Sequence, residues 1–157
     1  MKRSLAANKH DHGLRRRAKS RLKREPVRLT GVQARAVGTG IGTFAADHGL
    51  VLRAMAVMPD HVHLVVDVVP GMTGRSVIVR LKSAATRAMN DTGIHLYRVD
   101  SSGRMPTPWA RGGWDRFLHT ESEVAGAVRY VESNPERSGM PRQAWRCVTE
   151  SAVTRRV

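Results

Sequence analysis

The sequence predicts an α+β domain with a mainly antiparallel sheet and packed helices, close to a ferredoxin-like or RRM-like plan. Two observations predict it. First, two apolar runs, residues 50–57 and 61–68, are joined by Met58-Pro59-Asp60, and Pro with Asp suits a tight turn between adjacent antiparallel strands. Second, the element order is strand, helix, two strands, helix, strand, helix, so helical patterns stand between the extended ones.

Residues 1–25 contain only Leu5, Leu14 and Leu22 as large apolar groups, too few to offset the entropy of ordering, and read as a basic N-terminal arm. Two states fit it equally, a basic helix over residues 14–24 formed on DNA and a solvated tail. After Pro26, Val27-Arg28-Leu29-Thr30 suits a first strand. Gly31 separates it from a helix pattern with Val32, Ala36, Val37, Ile41 and Phe44. Gly38, Gly40 and Gly42 weaken that helix by about 1 kcal/mol each relative to Ala. A phosphate loop would need Lys-Ser/Thr after the glycines, which is missing, so close helix packing is the better reading. Asp47-His48-Gly49 is a stop signal, with Gly49 suited to the position just past a helix end.

Pro70-Gly71 ends the second strand of the hairpin, and a helix follows over residues 73–90. Its apolar face is Val77, Leu81 and Met89 with Ala84, Ala85 and Ala88, and its other positions carry Arg75, Arg80, Lys82 and Arg87. Residues 91–113 are irregular and residues 114–119 suit a further strand. Thr120-Glu121-Ser122-Glu123 has capping-box spacing and opens a helix through Val124, Ala127, Val128 and Val131. Asn134-Pro135 is expected to end it, because a residue before proline avoids helical angles. The expected organisation is an arm at 1–25, one domain at 26–140 and a tail at 141–157.

The formal net charge is +14, and residues 1–28 alone contribute +9. Such a lopsided charge speeds encounter with polyanions, and phosphate contacts release condensed counterions. Nucleic acid is therefore favoured as a partner over an anionic membrane. Cys147 is the one cysteine, which excludes an intrachain disulfide and a cysteine-built zinc cage. No apolar run approaches the roughly 20 residues that span a bilayer, and the basic N-terminal stretch lacks a signal-like hydrophobic segment. The cytoplasm is the expected compartment.

Two places carry chemistry. In His61-Val62-His63, strand alternation puts both imidazoles on one face and Val62 with Leu64 on the other. Such a pair either shares a divalent metal with a third ligand or is inert and hydrogen-bonded; the tripeptide alone favours the second. Tyr130 and Asn134, at i and i+4, share a helix face. A phenol there can attack a phosphodiester and the amide can complete a metal site; taken singly, a packing tyrosine and a helix-stop asparagine are the commoner case. His10, His12, His48, His95 and His119 are not selected by any pattern, and no organised base accompanies a serine or the cysteine. Trp109, Trp114 and Trp145 can stack on bases, with partial core burial the leading reading.

Taken together, the stretches resemble the single-tyrosine HUH transposases, most closely the REP-associated tyrosine transposases. The resemblance runs from about Gly49 to Met140. It rests on Met58-Pro59-Asp60-His61-Val62-His63-Leu64, on Leu81-Lys82-Ser83, on Trp109-Ala110-Arg111-Gly112 and on the segment Tyr130-Val131-Glu132-Ser133-Asn134-Pro135-Glu136-Arg137-Ser138-Gly139. Four motifs in the family's order are far more specific than any one. The resemblance implies an HUH fold with His61, His63 and Asn134 as ligands of Mg²⁺ or Mn²⁺. Tyr130 is then the nucleophile that cuts single-stranded or hairpin DNA, giving a 5′-phosphotyrosine and a free 3′-hydroxyl. A tyrosine hydroxyl is a poor nucleophile at neutral pH, so a metal that polarises the phosphate makes the assignment chemically coherent. Lys82, Arg75, Arg80 and, in the arm, Arg15, Arg16 and Arg17 are the phosphate-contact candidates, with solubilising charge as the competing reading. The family contains both self-contained members and others that share sites between subunits, so a homodimer stays open. The chain departs from the family in the short, glycine-rich stretch before Gly49 and in residues 91–108, the kind of peripheral parts on which target sequence depends. The alternative function is a domesticated nucleic-acid-binding protein that keeps the fold without transposition; a basic accessory protein with an incidental His-Val-His is weaker still.

Overall fold

A computed structural model describes residues 27–149; the basic arm with Arg15, Arg16 and Arg17 lies outside the described residues. Among the described residues, three helices and a two-stranded antiparallel sheet make an α+β fold, in the order α1 (Gly31–Asp47), β1 (Val51–Val57), β2 (Val62–Asp67), α2 (Gly74–Asp91) and α3 (Glu121–Arg137). The architecture is compatible with the ferredoxin-like plan expected from the sequence.

Each helix starts and stops by the same chemistry. Thr30, Thr73 and Thr120 are N-caps, and each closes a capping box with the residue three positions on, Gln33, Ser76 and Glu123. At the other ends Gly49, Gly93 and Gly139 have φ of 68°, 69° and 73°, a left-handed turn that only glycine adopts without strain. The following amides of Leu50, Ile94 and Met140 then donate back to Ala45, Met89 and Pro135, and the chain reverses under a buried or half-buried apolar side chain.

The hairpin pairs Val57 with Val62, Ala56 with His63 and Met55 with Leu64. The register slips between Leu52 and Ala54, leaving Arg53 as the extra residue of a β-bulge. The bulge shifts the phase of alternation. Leu52, Met55 and Val57 face a core built with α1 and α2, whereas Ala54, Ala56 and Met58 face a second, smaller core under α3. Arg53 itself is held by the Asp67 carboxylate at 2.7 Å from its Nε.

The glycines of α1 act as close-packing positions. A Cβ at Gly38 would overlap the Trp145 ring, one at Gly40 the backbone of Ala84, and one at Gly42 the Cys147 side chain. These contacts let α2 and the chain after α3 settle directly on α1. Residues 141–149, where the sequence suggests a tail, thus belong to the packed fold: Trp145, Cys147 and Val148 join the larger core. The Gln143 amide accepts from Val57 N at 2.9 Å and donates to Val57 O at 2.8 Å, and Thr149 N donates to Leu52 O at 2.9 Å. The outer edge of β1 is closed in this way.

Three local expectations are corrected. Residues 27–30 are extended but form no strand; Leu29 N bonds Pro59 O and Thr30 is taken up as the cap of α1. Residues 114–119 are not a strand either: Asp115 sits over Gly74 of α2 and the His119 amide bonds the Glu123 side chain of α3, in place of a neighbouring ladder. Finally, α3 does not stop at Asn134-Pro135. Pro135 is inside the helix, fully buried, and the helix runs on to Arg137 before Gly139 ends it. The lost amide leaves the Val131 carbonyl without its usual partner, and packing of the proline ring offsets that loss.

Candidate active site

The second face of the hairpin positions the two histidines. His63 lies on β2 on the same side as Val65, which packs in the small core with Val128 and Val131 of α3. Opposite His63 in the register is Ala56, and Ala54 and Ala56 are completely buried. Alanines at these positions let the α3 backbone approach the sheet closely, which brings its side chains within reach of the imidazoles. His61 stands just before the first residue of β2, in the turn closed by Met58 N donating to His61 O at 2.8 Å.

The side chains then converge. His61 Nε2 and His63 Nε2 are 3.0 Å apart, with their rings edge to face at 4.6 Å. His61 Nδ1 contacts the Asp60 carboxylate at 2.6 Å, which orients the ring and turns Nε2 toward His63. The Tyr130 ring meets His63 edge-on, centroids 5.6 Å apart at 82°. Tyr130 is 41% exposed, so its phenol borders solvent while its ring rests on the histidine. Of the four residues that the sequence marks for metal binding and nucleophilic attack, His61, His63 and Tyr130 are therefore in one contact chain.

Asn134 is one helical turn after Tyr130, half-buried, and its Nδ2 is buried with no hydrogen-bond partner among the described residues. An unmatched buried amide is costly, by about 1–3 kcal/mol. The two ends of an amide are nearly the same shape, so a half-turn about its axis presents the oxygen in that place. Among the described residues no three His, Cys, Asp or Glu side chains gather as a metal group, so a site on this face needs a donor of another kind. Two imidazoles and an amide oxygen would make a donor set that suits a divalent ion. The separation of 3.0 Å between the imidazole nitrogens serves either a hydrogen bond or two adjoining ligands of an octahedral shell with radius about 2.1 Å.

Beside Tyr130 the outer side of α3 forms an open groove of about 580 Å³, lined by Arg129, Arg137 and Arg142 with Glu132, Glu136 and Ser133. Arg129 and Arg142 were not singled out from the sequence, and Asp60 and Arg137 stand in the quoted motifs but were given no role there. Asp60 has a signal in hindsight, since it directly precedes His61; Arg142 has none, because it joins the groove only through the chain reversal at Gly139.

The basic residues of α2 lie elsewhere. That helix packs chiefly on α1, in the layer across the sheet from α3. Arg75 and Arg80 are exposed there. Lys82 is engaged structurally: its Nζ donates to the Ala110 carbonyl at 2.9 Å and to the Gly112 carbonyl, and burial pushes its pKa below the usual lysine value. Trp109 and Trp145 pack against the core, as expected, whereas Trp114 is 61% exposed.

No helix among the described residues is long and apolar enough to cross a membrane. No curated protein and no solved structure matches the chain. Residues 20–134 match the family described as "Transposase IS200 like", a span that takes in both histidines, Tyr130 and Asn134 and well over half of the sequence. The chain belongs to the IS200-like transposases, which are DNA-processing enzymes.

Proposed function

We propose that this transposase cuts and rejoins single-stranded or hairpin DNA through Tyr130, in the manner of the REP-associated, single-tyrosine HUH group. The observation that carries the reading is the edge-on contact of Tyr130 with His63, itself paired with His61. In the reaction the Tyr130 oxygen forms a bond to phosphorus and the bond to the 3′ oxygen breaks. The phenol proton goes to solvent, and the leaving oxygen takes up a proton as a 3′-hydroxyl. The phosphodiester energy is kept in the 5′-phosphotyrosine, so reversal rejoins the strand without ATP. His61, His63 and Asn134 would hold Mg²⁺ or Mn²⁺, which when bound stabilises negative charge on the phosphate. Asp60 fixes the His61 ring and so sets which nitrogen faces the site. Phosphate contacts are assigned to Arg75 and Arg80 on α2 and to Arg15, Arg16 and Arg17 of the arm, with Lys82 holding the 110–112 loop as well. The setting is cytoplasmic.

The test is a denaturing-gel assay for covalent protein–DNA adducts. Wild type and Tyr130→Phe are mixed with labelled hairpin DNAs that carry single-stranded flanks, with Mn²⁺ or with EDTA. An adduct that needs both Tyr130 and metal is the expected result. An adduct that survives Tyr130→Phe would reassign the nucleophile, and salt-sensitive binding without any adduct would point to a domesticated DNA-binding protein.

A further inference from the structure

Gly126 is a glycine that the fold itself does not require. It stands well inside α3, yet a Cβ added there would meet nothing within 4 Å. The glycines inside α1 differ, since Trp145, Ala84 and Cys147 occupy the space at Gly38, Gly40 and Gly42. Glycine weakens a helix relative to alanine, and close approach of a ligand is one use that offsets the loss. Gly126 precedes Tyr130 by one turn and lines the same open groove on the outer side of α3.

The charges of that groove are ordered around the phenol. With 3.6 residues per turn, Arg137, Gly126, Ser133 and Arg129 lie roughly 20°, 40°, 60° and 100° round the helix from Tyr130. Glu136 and Glu132 follow at roughly 120° and 160°, so the carboxylates form the far rim. Arg142 reaches the groove through the reversal at Gly139. Among the described residues none of these three arginines pairs with a carboxylate, although Glu132 and Glu136 are close by. Arg53 and Arg116, by contrast, do pair, with Asp67 and Glu123.

We propose that this groove seats the DNA strand on which Tyr130 acts. Arg129, Arg137 and Arg142 take up phosphates beside the one that is cut, and Gly126 leaves the gap in which the strand lies. The inference rests on the single-stranded substrate and tyrosine chemistry proposed above, and gives the strand its path. Continuity selects the occupant. Tyr130 touches His63 and also lines the groove, so a strand attacked by its phenol has to pass that ring. On the sheet side the space is filled, because Val128 and Val131 pack into the small core; on the groove side it is open. Charge selects the same occupant, since guanidinium forks match phosphate oxygens and here stand nearer the phenol than the carboxylates do.

Fluorescence anisotropy on the full chain, over a salt series, tests this with a labelled hairpin that carries single-stranded flanks. Arg129→Ala, Arg137→Ala and Arg142→Ala should each bind about tenfold more weakly. Each should also flatten the slope of log affinity on log salt by about 0.7, the share of one phosphate contact on a single strand. Arg35→Ala, which removes the same charge from an exposed position of α1, should do neither. Gly126→Leu should bind about tenfold more weakly or worse, with its salt slope unchanged and its thermal unfolding midpoint no lower than wild type. A neutral methylphosphonate next to the cut should weaken wild type but add little to the Arg129→Ala, Arg137→Ala double variant. Groove variants that lose no more than Arg35→Ala overturn the proposal, as does wild-type binding by Gly126→Leu. A lowered midpoint in Gly126→Leu overturns it too, because the fold would then need the glycine. A wild-type dimer that Gly126→Leu converts to a monomer, read by light scattering, assigns the groove to a second copy instead. Adduct formation is scored separately. Groove-dependent binding without adducts defeats the chemistry and leaves the groove standing; Tyr130-dependent adducts with no effect of the groove variants do the reverse.

Discussion

The two faces of the hairpin differ in what their side chains are for. One presents Leu52, Met55, Val57, Val62, Leu64 and Val66 to α1 and α2, which cover it with large apolar groups. The other presents Ala54, Ala56, His63 and Val65 to α3 alone. Large side chains bury the area that stabilises the fold. Alanines forgo that area and leave room for a helix to lay a tyrosine against a histidine. A sheet of two strands therefore keeps its large apolar groups on one side and the residues proposed for chemistry on the other, and the bulge at Arg53 is what puts each residue of β1 on its proper side.

The separation can be tested in both directions. His63→Ala, on the chemical face, should lower adduct yield more than about a hundredfold while the thermal unfolding midpoint barely moves. A large fall in the midpoint would mean that this face carries stability too. Met89→Ala, on the other side, removes a fully buried side chain and should destabilise by about 2–5 kcal/mol in urea unfolding. Per folded molecule its adduct yield should match wild type; if it does not, the faces are coupled. Ala56→Leu is the substitution that joins them. Overpacking under α3 should lower stability by about 1–3 kcal/mol and, by lifting the helix off the sheet, reduce adduct yield as well. The smallest effect is expected at the entrance of α3, where Thr120→Ala removes one member of the capping box. A loss of about 1 kcal/mol should appear as faster amide exchange in the first turn, with Tyr130 still in place.

How much of this was legible in the sequence depends on how local the cause is. The hairpin and the three helices follow from alternation, apolar spacing and caps, all of which act within a few residues. His61, His63 and Tyr130 were legible as individuals through periodicity and as a group through the resemblance. Residues 114–119 looked like a strand because their composition is right for one, but Gly113, Asp115 and Leu118 find partners on helices far away in sequence. Pro135 is a local stop signal overruled by burial of its ring and by a glycine four residues later that ends the helix instead. The role of residues 141–149 was hidden for a related reason. Trp145, Cys147 and Val148 show no period, and what receives Trp145 and Cys147 is the absence of side chains at Gly38 and Gly42, about a hundred residues earlier.

The closure of β1 by Gln143 and Thr149 has a consequence for how the protein is made. Synthesis delivers the hairpin early and these two residues late, so on the ribosome β1 has an open edge while α2 and α3 are still being added. An open edge is a template for another strand, including one from a neighbouring nascent chain. The Gln143 side chain then occupies both backbone groups of Val57 as a strand would, but an amide on a single residue cannot propagate a ladder. Folding thus finishes by taking β1, the strand that backs the histidine-bearing β2, out of reach of other strands once the rest of the domain is in hand.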